Sequence, residues 1–282
     1  MILLKIKRPY IFYRGLKMDY IIDNEALLRL SAFLSVLVII FIAEMIFPIY
    51  SRNVASYKRW IVNFSFVLIN TLILRLFFPI LAVSFAAICI KYNIGIFNYF
   101  NFNTIVSIIL SFLFLDLGIW LQHLLFHKID FLWRFHKIHH SDEEVDFSTG
   151  IRFHPVEIII SMIYKFILIA IIGPSIALVI IFEIILNASS IFNHGNIKIT
   201  EKYDIMLRKL IVTPNMHRIH HSKEEKETNS NYGFNFSIWD KVFGTYKKNA
   251  EKGNNLILGL EEFKDPKTKS IYMLMLKPFL NK

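Results

Sequence analysis

Long apolar runs separated by short polar stretches set the pattern of this chain. Residues 27–48, LLRLSAFLSVLVIIFIAEMIFP, hold one acid, Glu44, near their end and close on Pro48. A helix of about 20 apolar residues crosses a bilayer, so this run predicts a span. Residues 61–90 carry a single charge, Arg75, and are interrupted by Pro79. One tilted, broken span is expected there rather than two. Residues 104–127 form a third apolar segment that turns polar at its far end, where Asp116, His123 and His127 appear. The 37 residues of 156–192 are too long for one helix, and Gly173-Pro174 breaks them in the middle, which predicts a hairpin of two spans.

The organisation expected is an N-terminal segment 1–26, transmembrane helices over 27–127, a polar segment 128–155, the hairpin 156–192 and a polar cap 193–282. The residues after His194 hold 16 Lys/Arg against 10 Asp/Glu, which places them on the cytoplasmic face. Five crossings then put the start of the chain outside, against the preference of Lys5, Lys7, Arg8, Arg14 and Lys17. A start at Met18, followed by Asp19, Asp23 and Glu25 with no base, resolves the conflict, and so does a first run that is not a full span.

Composition sharpens this into an all-α integral membrane protein, because 55% of residues are hydrophobic, 19% are charged and the mean hydropathy is +0.46. The single cysteine, Cys89, excludes a disulfide framework. In so apolar a chain the net charge of +10 points to a basic cap and anionic lipid, not to nucleic acid.

The ten histidines carry the candidate chemistry. All lie between residues 123 and 221. His123 and His127 are spaced i, i+4, while His136/His139/His140 and His217/His220/His221 both read H-x-x-H-H. On a helix each triplet is expected to aim three nitrogens at nearly one point. Three adjacent imidazoles on a solvated loop would serve no packing purpose, whereas neutral imidazole is a common metal ligand. His154 and His194 stand alone, and His154, before Pro155, has a second reading as a helix cap. The hairpin brings His194 and all three clusters to one membrane face. Nine imidazoles exceed what one four-coordinate ion uses, so two metal ions are implied. The centre differs from the Glu-rich di-iron sites of soluble bundles.

The order of motifs extends the pattern: Asp116-x6-His123-x3-His127, His136-x2-His139-His140, RFHPVE (152–157), FNHGN (192–196), TPNMHRIHH (213–221), NYG (231–233) and WDKVFGTY (239–246). Over residues 40–248 this resembles the fatty acid hydroxylase/sterol desaturase superfamily of membrane non-haem di-iron oxygenases. The resemblance implies a transmembrane stem with a cytosolic helical cap, and two Fe ions among His123, His127, His136, His139, His140, His194, His217, His220 and His221. Some members carry a second histidine near the position of His194. Here a water, Asn193 or His154 is the expected substitute.

Hydroxylation or desaturation of a lipid C–H bond by O2 is further implied, with two electrons from a ferredoxin or a cytochrome b5-type donor and its reductase. Asp116, two helical turns before His123, is the first candidate to orient the imidazoles, and Glu157 a second. WDKVFGTY reads as an amphipathic piece that packs the cap onto the interface. The Ile-, Lys- and Asn-rich composition fits a bacterial source, where the location is the inner membrane. The competing reading is a histidine-rich membrane metal transporter or metal-binding protein. A transporter needs ionisable ligands along its spans, and Arg75, Lys165 and Glu183 read as isolated and of mixed sign.

Overall fold

The computed structural model describes residues 24–51, 56–100, 102–253 and 256–280. Residues 1–17 and Met18 lie outside the described residues. The stem begins with α1 (Glu25–Ile46). A broken second segment follows, made of α2 (Ser56–Phe77) and α3 (Ala82–Lys91), with the one-turn α4 (Ile96–Tyr99) after it. Next come α5 (Thr104–Lys128) and α6 (Asp130–His140), then the hairpin of α7 (Pro155–Ile172) and α8 (Ile176–His194). Five segments are long and apolar enough to cross a membrane, with α2 through α4 counting as one. The expected break falls around Pro79, which cannot supply the backbone donor a continuous helix needs.

Local signals account for the hairpin. Gly173 ends α7 in the left-handed region at φ 68°, where a side chain would strain, and Ser175 caps α8 by accepting from Leu178 N. A Cβ on Gly95 would fall 2.4 Å from Gly173 Cα, so the turn before α4 and the hairpin tip meet backbone to backbone at one end of the stem. At the other end Glu44 Oε1 accepts from Phe147 N (2.7 Å) and Asn196 N (2.9 Å). Arg59, near the start of α2, pairs with Asp142 (2.8 Å) and Asp146. These contacts fasten the polar segments across one end of the helices. Leu68, Leu72 and Leu76 are 68%, 69% and 78% exposed on one face of α2, an apolar stripe that lipid would cover.

The polar layer contains α6, a 3-10 turn at Thr149–Ile151, α9 (Glu201–Leu207), α10 (Pro214–His220), α11 (Glu225–Thr228), α12 (Ile238–Val242) and α13 (Ile271–Leu276), and no strand occurs among the described residues. One reading of the charges inside the spans needs correction. Lys165 and Glu183 are not isolated: Lys165 Nζ lies 2.6 Å from Glu183 Oε1, and Arg29 approaches the other oxygen at 3.2 Å.

Candidate metal centre

Two histidine groups form where α5 and α8 of the stem meet α6 and α10 of the polar layer. His123, His127, His136, His140 and His220 make one, and His139, His194, His217 and His221 make the other; within each group the ring nitrogens lie within 4.8 Å of one another. Neither H-x-x-H-H triplet converges on a single point, contrary to expectation. His136 and His140 join the first group and His139 the second, while His217 and His221 join the second and His220 the first. The helix explains the division. At about 100° per residue, i and i+4 stand about 40° apart, whereas i+3 and i+4 diverge by a full 100°. Both triplets are also buried, one on α6 and the other on α10 and its C-cap residue His221, rather than on a solvated loop.

The hydrogen bonds of the rings decide which nitrogen faces inward. Nδ1 of His123 donates to Tyr232 O (2.8 Å), of His139 to Arg152 O (3.1 Å), of His194 to Ser190 O (2.6 Å) and of His220 to Ser230 O (2.7 Å). A carbonyl cannot donate, so Nε2 of these four rings carries a lone pair when the ring is neutral. His136 Nδ1 donates to Glu157 Oε1 at 2.7 Å in the same manner.

The inward nitrogens of His123, His136 and His220, and those of His139 and His194, then meet without protons between them. His123 Nε2 is 3.1 Å from His136 Nε2 and 3.0 Å from His220 Nε2. His194 Nε2 lies 2.9, 3.0 and 3.1 Å from the Nε2 atoms of His139, His217 and His221. One nitrogen cannot make three hydrogen bonds with either one proton or one lone pair. Buried nitrogens of His127, His140, His217 and His221 also have no hydrogen-bond partner. A cation among the facing Nε2 atoms answers the crowding and offers a partner to the orphaned nitrogens of His127 and His140, so the residues fit a metal in each group; His217 and His221 turn Nε2 toward His194 and keep Nδ1 without a hydrogen-bond partner.

Electrostatics favours the neutral rings. Burial, reinforced by the surrounding imidazoles, holds His139, His140, His217 and His221 well below the ordinary histidine value, and brings His220 down from 6.5 to about 3. The unfolded chain therefore binds protons near pH 6.5 that the folded chain refuses until much lower pH. Stability and metal retention are expected to be flat above about pH 7 and to fall steadily below 6.5. Melting temperature and metal content measured across pH check this.

The remaining candidates separate. Glu157 reaches a histidine, as above. Its replacement by Ala is expected to weaken metal binding about 10- to 100-fold, with Gln costing less because an acceptor remains; competition with a chelator measures both. Asp116 reaches none of the histidines among its described contacts: its Oδ2 accepts from Trp239 Nε1 (2.8 Å) and Phe236 N (3.3 Å), tying α5 to α12. Asn193 Nδ2 donates to Phe234 O (2.7 Å), and its Oδ1 is buried without a hydrogen-bond partner. His154 belongs to neither group. It caps α7, with Nδ1 accepting from Val156 N and Nε2 donating to Met275 O, both at 3.2 Å. Both its nitrogens are thereby used.

Three supports escape the sequence reading. Asp240, fully buried, accepts from Trp120 Nε1, Tyr232 N, Gly233 N and Thr245 Oγ1, and so places the Tyr232 carbonyl against His123. WDKVFGTY thus braces the site through Asp240, while Val242 and Phe243, 64% and 51% exposed, leave it an apolar outer edge. Arg152 spreads its guanidinium over Ile138 O, Asn63 Oδ1 and Ser141 Oγ, clamping the end of α6 while its own carbonyl receives His139. Gly150 approaches α8 so closely that a Cβ would stand 2.7 Å from Ser190 O, the partner of His194. The signals available were Asp240 inside WDKVFGTY and Arg152 at the head of RFHPVE; Gly150, two residues before that motif, carried none.

A cavity of about 310 Å³ opens against the first group, lined by His123, His136 and Glu157, and continues along α7 past Ser161 to Lys165. The fold and site define a helical membrane protein with a histidine-rich, metal-capable centre. Residues 108–245 match the family model described as fatty acid hydroxylase, so this segment belongs to the fatty acid hydroxylase superfamily. It is similar to the alkylglycerol monooxygenase of Homo sapiens, 29% identical over 147 residues that cover 50% of this chain and 31% of that protein. It is also similar to the ornithine lipid hydroxylase of Rhizobium tropici, 29% identical over 50% of this chain and 41% of that protein. The alkylglycerol monooxygenase of Caenorhabditis elegans is 34% identical over 48% of this chain and 26% of its own length. The chain therefore spans less than half the length of these relatives. No solved structure matches.

Proposed function

We propose that this chain is a membrane-bound lipid hydroxylase with a non-haem di-iron centre, one iron in each histidine group. The carrying observation is the pair of adjacent groups of inward-facing, neutral imidazoles at the head of a cavity that runs into the stem. Relatives named as an alkylglycerol monooxygenase and an ornithine lipid hydroxylase support a lipid substrate, and their names favour hydroxylation over desaturation. When bound, the two irons supply O2 activation and removal of hydrogen from an unactivated C–H bond. One oxygen atom enters the lipid as hydroxyl and the other leaves as water, with two electrons and two protons from outside.

The protein's own part is to position and to exclude. The Nδ1 hydrogen bonds of His123, His136, His139, His194 and His220 fix the rings with Nε2 inward. Phe126, Phe153 and Phe234 wall the cavity beside the first group and keep water from it. A lipid can enter sideways between stem helices. The electrons come from a ferredoxin or a cytochrome b5-type partner, on the cytoplasmic face that the basic polar layer indicates. Transport is not favoured, because the histidines gather at the ends of the spans while Lys165, Glu183 and Arg29 pair with one another.

The test is lipid mass spectrometry of cells with and without the gene, grown under 18O2. A lipid that gains one labelled oxygen only when the gene is present supports the reading. Unchanged lipids, or an oxygen drawn from water, contradict it.

A further inference from the structure

Polar side chains accompany the cavity into the membrane although Phe33, Val67, Ile119 and Leu186 form much of its wall. On α7, Glu157, Ser161 and Lys165 follow at i, i+4 and i+8 and all line it. They make one stripe about 12 Å long, at 1.5 Å of rise per residue. Its first member holds His136. Its last, Lys165, lies well inside the span, where an ionisable side chain is expensive and usually functional.

The charges around Lys165 already balance. Glu183 receives Lys165 at 2.6 Å and Arg29 at 3.2 Å, and Arg29 also meets Glu25 at 3.1 Å, so two cations face two carboxylates. Replacing a largely buried pair such as Lys165–Glu183 by apolar groups is often neutral or stabilising, so stability alone does not explain it. An ammonium has three donors, of which Glu183 takes one. Asn70, which also lines the cavity, keeps a buried Oδ1 without a hydrogen-bond partner. A plain hydrocarbon occupant would leave such groups unanswered.

We propose that Lys165 is a substrate-recognition residue that donates to a neutral oxygen acceptor, a hydroxyl or a carbonyl, carried by the lipid about 12 Å from the carbon presented to His123 and His136. A carboxylate would add an uncompensated charge to a set that is already neutral, inside a span. The inference rests on the cavity being the lipid chamber of the proposed hydroxylase.

Binding without turnover tests it. Radiolabelled 1-dodecanol, n-dodecane and dodecanoate are titrated onto the metal-loaded, detergent-solubilised protein and onto Lys165→Met. The substitution is expected to weaken dodecanol about tenfold and to leave dodecane within about twofold, with Lys165→Arg restoring most of the loss. Lys165→Met/Glu183→Gln keeps the charges balanced, and wild-type metal content in it shows an intact assembly; it is expected to lose dodecanol affinity equally. Equal dodecanol affinity in wild type and these variants overturns the proposal, and so does a larger loss for dodecanoate than for dodecanol. Dodecanol discrimination in a protein that forms no O2-dependent product would contradict the hydroxylase reading and leave the role of Lys165 standing.

Discussion

His139→Ala and His220→Ala are each expected to leave the purified protein with one bound metal instead of two and to lower O2-dependent lipid oxidation below about one-hundredth of wild type. A partner that merely orients a metal-bound histidine is worth 10- to 100-fold, and a ligand is worth more. The two variants are informative together because they occupy the same place in similar motifs yet serve different groups, His139 the second and His220 the first. Their residual metals should therefore differ in spectroscopic signature. Metal analysis with a turnover assay checks the effect, and retained O2-dependent turnover in either variant refutes the assignment.

Asp240→Ala should have the largest effect among residues that touch no histidine ring. The carboxylate satisfies two backbone amides, the Trp120 indole and the Thr245 hydroxyl in a fully buried place. An unsatisfied buried donor costs about 1–3 kcal/mol. Four of them together approach the about 5–15 kcal/mol that holds a typical domain. Asp240→Ala is expected to yield little folded protein, and Asp240→Asn a protein with lowered Tm and reduced metal content, since one acceptor oxygen remains. Size-exclusion profiles and melting curves read both. Wild-type melting of Asp240→Ala would show that the brace is dispensable.

Span positions are legible in the sequence because lipid imposes a length and a polarity that single residues rarely override. The hairpin at Gly173-Pro174 was equally plain, since a left-handed turn and a missing donor leave little choice. The histidines announced themselves by density. Their allotment to two groups did not, because it depends on how α5, α6, α8 and α10 are rotated against one another, and that rotation is fixed by distant contacts. Asp116 illustrates the limit: spacing puts it near the face of His123, yet Trp239, far along the chain, claims its carboxylate. His154 illustrates another, for the same H-P sequence that suggests a ligand is also a good helix start, and packing chose the cap. Lys165 and Glu183 lie on different helices of the hairpin, and only the closing of α7 onto α8 makes them partners.

Anomalous diffraction at the iron edge from crystals of the metal-loaded protein tests the central claim most directly. Two peaks are predicted, one among His123, His127, His136, His140 and His220, the other among His139, His194, His217 and His221. A single peak, or iron bound outside both groups, would contradict it.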